Sequence, residues 1–112
     1  LNMPYSPVRK MIQAGLPVAL ASDYNPGSSP SGNMKFIMSL GCINYKMLPE
    51  EVINATTLNS AYAMGVEEEA GSIAVGKLAN FYITTPISGI EYLPYAYTAD
   101  LIEAIFLKGE QY

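Results

Sequence analysis

Within the run Asp23-Tyr24-Asn25-Pro26-Gly27-Ser28-Ser29 the sequence gathers a carboxylate, a carboxamide, a glycine and two hydroxyls. Such a set can take a proton, hydrogen-bond a polar ligand in both senses, and let that ligand close on bare backbone. The residues just before it, Val18-Ala19-Leu20-Ala21, are apolar without alternation. That is the pattern of a strand covered on both faces, as in the parallel sheets of α/β proteins. Asp23 would then stand at the strand's carboxyl end, the edge where such folds, barrels especially, present their reacting groups. The same residues also suit an Asx-turn, with Asp23 bonding the backbone two residues on and Pro26-Gly27 closing a tight turn. Composition alone leaves both open.

The rest of the composition narrows the chemistry. There is no histidine, so the chain builds neither a Ser-His-Asp triad nor, unaided, an ordinary transition-metal site. Any metal chemistry needs ligands from elsewhere. Cys42 is the single cysteine, which excludes an internal disulfide, and its apolar surroundings Ile37 to Ile43 mark it as a buried structural thiol. The net charge of −4 and the scatter of Arg9, Lys10, Lys35, Lys46, Lys77 and Lys108 argue against a nucleic-acid partner. No apolar run approaches the roughly 20 residues needed to cross a bilayer, and no basic-then-apolar leader opens the chain. A soluble, cytoplasmic protein without a membrane partner is expected. Glu67-Glu68-Glu69, with no further oxygen ligands at spaced positions, reads as a solvated loop and not as a calcium or acid/base site.

The elements that must position the Asp23 loop follow from periodicity and punctuation. Ser6-Pro7 ahead of Val8, Met11 and Ile12, with Gly15 behind, predicts a short amphipathic helix capped by Ser6, which then turns into the strand from Pro17. Asn33 caps a second helix running to about Tyr45, apolar nearly all round and so buried in a larger body. Pro49-Glu50-Glu51 opens a third, whose apolar side is Val52, Ile53, Ala55, Leu58, Ala61 and Tyr62 and whose stop is Gly65. Beyond Gly71 come short β-rich runs, Ser72 to Val75, Phe81 to Thr85 and Leu101 to Leu107, the last two able to pair. Pro86 to Asp100 reads as a surface excursion, with Tyr92, Tyr95 and Tyr97 packing that long connection in preference to forming a stacking platform.

A strand like Val18 to Ala21 wants parallel neighbours on both sides, yet no second run of that kind follows a crossover helix. The chain also begins at Leu1. Together these suggest a piece from the carboxyl-terminal part of a larger α/β protein.

Four stretches carry a resemblance: Ser22 to Pro30, the helix opening Pro49-Glu50-Glu51, the run Asn54-Ala55-Thr56-Thr57-Leu58-Asn59-Ser60-Ala61-Tyr62-Ala63-Met64-Gly65, and Gly71-Ser72-Ile73-Ala74-Val75-Gly76-Lys77. In order and over essentially the whole chain they resemble the carboxyl-terminal region of the imidazolonepropionases, within the metal-dependent amidohydrolase superfamily. The Ala-Thr-x-Asn-x-Ala helix and the Gly-x-Ile-x-x-Gly-Lys turn are shared across the superfamily. The Asp-x-Asn-Pro-Gly-Ser-Ser-Pro loop is the narrower signature.

The resemblance implies an α/β fold: the last part of a (β/α)8 amidohydrolase barrel in residues 1–64, and in residues 65–112 the carboxyl-terminal strands of an appended β-sandwich assembled from both chain ends. It implies hydrolysis of 4-imidazolone-5-propanoate to N-formimino-L-glutamate in histidine degradation, with a zinc or iron ion held mainly by histidines upstream. Asp23 matches the family's metal-ligating, proton-accepting aspartate. Asn25, Gly27 and Ser28 match substrate-contacting positions. The partners implied are the small-molecule substrate, the rest of the same polypeptide and, by family precedent, a second copy in a homodimer. The fragment by itself is expected to be inactive. One departure is Asn80, where amidohydrolases usually carry aspartate, at a position read as structural. Two other readings compete: a related cyclic amidase or deaminase, which the Asn-Pro-Gly-Ser-Ser loop opposes, and a freestanding α+β interaction module in which the acidic loop is only a turn.

Overall fold

A computed structural model describes residues 4–112; the first three residues of the expected 1–64 unit lie outside the described residues. The elements run α1 Val8–Gln13, α2 Met34–Ile43, α3 Pro49–Thr56, α4 Leu58–Met64, β1 Phe81–Thr84, α5 Tyr92–Tyr95, β2 Ile102–Leu107 and β3 Glu110–Gln111.

Helix α1 begins one residue later than expected: Pro7 is its N-cap, no side chain caps it, and Ser6 contributes only its carbonyl, which accepts from Val8 N–H at 2.8 Å. Its end is as read. Gly15 has φ +77°, its N–H donates to Ile12 O at 2.9 Å, and Leu16 N–H reaches back to Met11 O at 3.1 Å. This paired Schellman closure needs the left-handed backbone that glycine tolerates. Helix α2 opens on Asn33, whose side-chain oxygen accepts from Lys35 N–H at 3.0 Å and Phe36 N–H at 3.3 Å. It is less enclosed than its composition suggests. Met38, Ser39 and Gly41 are buried, while Phe36 and Ile43 stay exposed.

The third expected helix is two. At Thr57 the backbone turns to φ −123°, ψ −89°, separating α3 from α4. Two adjacent threonines compete with the helical ladder: Thr56 Oγ1 donates to Val52 O at 2.8 Å and Thr57 Oγ1 to Ile53 O at 2.7 Å. The carbonyl of Ala55, which a continuous helix would satisfy internally, instead accepts from Leu20 N–H at 2.9 Å and Ser60 Oγ at 2.7 Å. Gly65, at φ +70°, stops α4 as predicted.

The core gathers Val8, Val18, Met38, Met47, Val52 and Ala55, with Met11, Ile12, Leu20, Cys42, Tyr45, Ile53 and Leu93 packed around it. Helices α2 and α3 pack on one another, and α5 lies on α2. An ion pair braces the cluster from outside. Arg9 donates to both Glu51 oxygens, at 2.9 and 2.6 Å, and Glu51 Oε2 also accepts from Leu48 N–H at 2.7 Å, capping α3 where Leu48 itself cannot. The Arg9 guanidinium therefore holds the Glu51 carboxyl below the usual carboxylate range, its pull opposed by partial desolvation and aided by the Leu48 amide.

Beyond Asn80 the three strands form a small antiparallel sheet in the order β1-β2-β3. The predicted pairing of the two runs holds, with Phe81 opposite Phe106 and Ile83 opposite Ala104. The rings of Phe81 and Phe106 stack with centroids 4.8 Å apart. Ser72 to Val75 is not a strand: Ile73 and Val75 are 89% and 107% exposed, with no ladder partner among the described residues. Of the tyrosines of the excursion, Tyr97 packs against Phe36 and Tyr92 is half-buried, but Tyr95 is 80% exposed with its ring beside that of Tyr92, because it lies on the outer side of the short α5; the segment buries Pro94. Asn80 is structural, its side-chain oxygen accepting from Lys108 N–H at 2.8 Å where the β2–β3 hairpin passes.

Candidate active site

The segment carrying Asp23 does not pair as a strand. Val18 to Ser22 lies outside every ladder, because the described residues offer no parallel neighbour for it. Only one of its faces is covered, not both as the unbroken apolar run suggested: Val18 is buried and Leu20 half-buried, whereas Ala19 and Ala21 are exposed. Along one edge its carbonyls are taken by side chains: Val18 O accepts from Asn59 Nδ2 at 2.9 Å, Leu20 O from Ser60 Oγ at 3.2 Å, and Ser22 O from Ser29 Oγ at 2.8 Å.

Asp23 follows with φ +49°, a left-handed conformation uncommon for any residue but glycine, although aspartate tolerates it better than most. It is exposed, and its carboxylate accepts no hydrogen bond among the described residues. The Asx-turn that its sequence also allowed is made instead by Asn25. Asn25 Oδ1 accepts from Gly27 N–H at 3.0 Å and Ser28 N–H at 2.8 Å, Asn25 Nδ2 donates to Asp23 O at 2.7 Å, and Asn25 N–H closes on Ser29 O at 2.9 Å. A Cβ on Gly27 would sit 3.3 Å from Asn25 Oδ1, so the turn is tight enough to favour glycine there.

Of the four residues singled out from sequence, three therefore share one small ring of hydrogen bonds, and Asp23 stands at its entrance. Asn25 is largely committed to building the loop, with one of its two amide hydrogens left for a ligand. Ser28 Oγ lies 3.3 Å from Asn25 Oδ1 and keeps its lone pairs free to accept. Two free carboxylate oxygens on Asp23 fit the donor set of a hard or borderline cation as a single ligand. No group of three histidine, cysteine, aspartate or glutamate side chains placed to hold a metal ion occurs among the described residues.

Other candidates separate from the site. Cys42 is half-buried against the core, and desolvation, reinforced by Glu50 and Glu51, pushes its thiol pKa up, away from nucleophilic character. Glu68 and Glu69 are exposed as read, whereas Glu67 is half-buried; Lys77 Nζ donates to the carbonyls of Glu67 and Ala70 and so fastens that turn. No helix of the described residues is long and apolar enough to cross a membrane. Sequence reading missed Asn59, Ser60 and Ser29 as donors to the Asp23 segment. The one local signal was a pair of poor helix formers, Asn59-Ser60, in the first turn of an otherwise apolar stretch.

Over residues 4–109 the sequence matches the model of the amidohydrolase family, and the chain belongs to that family. Its relatives sharpen the class. It is 56% identical over 110 residues to a protein named imidazolonepropionase from Flavobacterium johnsoniae, covering 98% of this chain and 27% of the relative. It is 44% identical over 106 residues to an imidazolonepropionase from Streptococcus pyogenes, covering 95% of this chain and 25% of that protein. The chain thus spans about a quarter of the length of the curated relatives it matches. The crystal structure of an amidohydrolase from Thermotoga maritima superposes with a TM-score of 0.70 at 21% identity, over 93% of this chain and 24% of that one. This likeness is one of fold.

Proposed function

We propose that this chain is the carboxyl-terminal segment of an enzyme that hydrolyses 4-imidazolone-5-propanoate to N-formimino-L-glutamate, a step of histidine breakdown in the cytoplasm, and that Asp23 is its reacting carboxylate. The observation that carries the reading is Asp23 itself: exposed, unpartnered, in left-handed backbone at the end of an extended segment whose far edge is tied down. The identity to imidazolonepropionases over nearly the whole chain supports the substrate.

On this reading residues 1–64 are the last strand and helices of a (β/α)8 barrel, and residues 65–112 the carboxyl-terminal part of a composite β-sandwich. The backbone groups of Ala19 and Ala21, which make no hydrogen bond among the described residues, and the bare Ile73 and Val75 support a larger body around the chain. A homodimer is the proposed assembly.

A zinc or iron ion, held mainly by histidines outside this chain, supplies when bound a water acidified enough to attack at neutral pH. Asp23 offers one carboxylate oxygen as a ligand and the other as acceptor for the proton of the attacking water. Asp23 would then hand that proton to the departing ring nitrogen as a C–O bond to the lactam carbonyl carbon replaces the ring C–N bond, so that one water is added across the bond. The free amide hydrogen of Asn25 and the hydroxyl of Ser28 orient the ring, and Gly27 lets its edge approach backbone. The test is product analysis with the full-length polypeptide. Conversion of 4-imidazolone-5-propanoate to N-formimino-L-glutamate is expected, and hydrolysis or deamination of other cyclic substrates with none of this one would assign the chain to a different branch of the family.

A further inference from the structure

We infer that Asn59, with Ser60, is a positioning residue for Asp23: the two side chains act from α4 as rungs of a ladder that replaces a neighbouring strand along one edge of the Asp23 segment. The inference deepens the proposed function and rests on Asp23 being the reacting carboxylate.

In extended backbone the carbonyls of alternate residues point to the same edge. The carbonyls of Val18, Leu20 and Ser22 are such a set, and each is taken by a side-chain donor: Asn59 Nδ2 at 2.9 Å, Ser60 Oγ at 3.2 Å and Ser29 Oγ at 2.8 Å. The amide of Leu20, on that same edge, donates to Ala55 O at 2.9 Å. Asp23 is the first residue past the last rung. Its left-handed φ persists only if the flanking backbone is fixed, since a free chain would relax out of it.

The break between α3 and α4 is what delivers these donors. In an unbroken helix the Asn59 amide would bond Ala55 O; with the turn at Thr57, Ala55 O is free for Leu20 and the first turn of α4 faces the segment. The two rungs differ in strength. Ser60 has one hydroxyl proton between Ala55 O at 2.7 Å and Leu20 O at 3.2 Å, so it ties the helix end to the segment, whereas Asn59 gives an undivided bond to Val18 O. Asn59 is therefore the larger contributor.

The test is a set of variants in the full-length, metal-loaded polypeptide, assayed on 4-imidazolone-5-propanoate. Asn59→Leu, close in shape and without the donor, is expected to lower kcat about 10- to 100-fold with KM within about threefold, the range seen when supports of a reacting group are removed. Ser60→Ala is expected to lose less, and Ser60→Thr, which keeps the hydroxyl, to recover most of it. The decisive comparison is the cycle with Asp23→Asn: a residue that acts through Asp23 costs little once the carboxylate is gone. If Asn59→Leu lowers kcat by the same factor in the Asp23→Asn background as in wild type, or leaves both unchanged, positioning is refuted. Should Asn59→Leu fail to fold, the Ser60 pair of variants carries the same cycle. If Asp23→Asn alone is fully active, it is the reading of Asp23 that fails.

Discussion

The two halves of this chain bury their apolar residues very differently. Residues 8–55 supply the whole of the buried cluster, with Val52 and Ala55 sealed from solvent. After Gly65 the chain is richer in β-branched and aromatic residues, yet Ile73, Val75, Tyr82 and Ile83 remain exposed and only Leu101 and Pro94 are buried. Apolar composition is thus no guide to where a core closes. The first half is three helices and an extended segment that can cover one another, and the second is a sheet with too little chain to cover it.

This contrast is open to direct attack. Val52→Ala removes buried methyl groups at the centre of the cluster and should destabilise by about 2–3 kcal/mol in equilibrium unfolding. Gly41→Ala comes next, at about 1–3 kcal/mol, because the added Cβ would lie 2.7 Å from Val52 Cγ1 and 3.1 Å from Leu20 Cδ1. Glu51→Gln should show a pH signature. The folded carboxyl titrates below its unfolded value, so its contribution is full above the ordinary glutamate range and disappears as pH falls through the lowered pKa; wild type and variant should converge in acid. Smallest is Ile73→Ser with Val75→Ser, which in the 112-residue chain should change stability by no more than about 0.5 kcal/mol, since neither side chain is buried there. A loss as large as that of Val52→Ala would mean the second half has a core of its own.

Punctuation was the legible part of the fold. Asn33, Pro49, Gly15 and Gly65 end or begin helices where their chemistry says they should, and the pairing of the Phe81 and Leu101 runs followed from their composition. What the sequence concealed was set by partners distant along the chain. Val18 to Ala21 has a strand's pattern but finds Asn59 and Ser60 in place of a neighbouring strand, and Ser72 to Val75 has no ladder partner among the described residues. The break at Thr57 was hidden because the apolar positions of α3 and α4 continue one helical period across it, while the hydroxyls of Thr56 and Thr57 compete for the carbonyls. At the site, the residue types of the Asp23 loop were readable and their division of labour was not: Asn25 makes the turn, leaving Asp23 free.

The central claim is that this free carboxylate reacts. Turnover of 4-imidazolone-5-propanoate by the full-length polypeptide, wild type against Asp23→Asn at matched metal occupancy, measures it most directly. The substitution keeps the shape and removes the proton acceptor, and a loss of roughly two to four orders of magnitude in kcat is expected. Equal rates for the two proteins would make Asp23 a turn residue and contradict the claim.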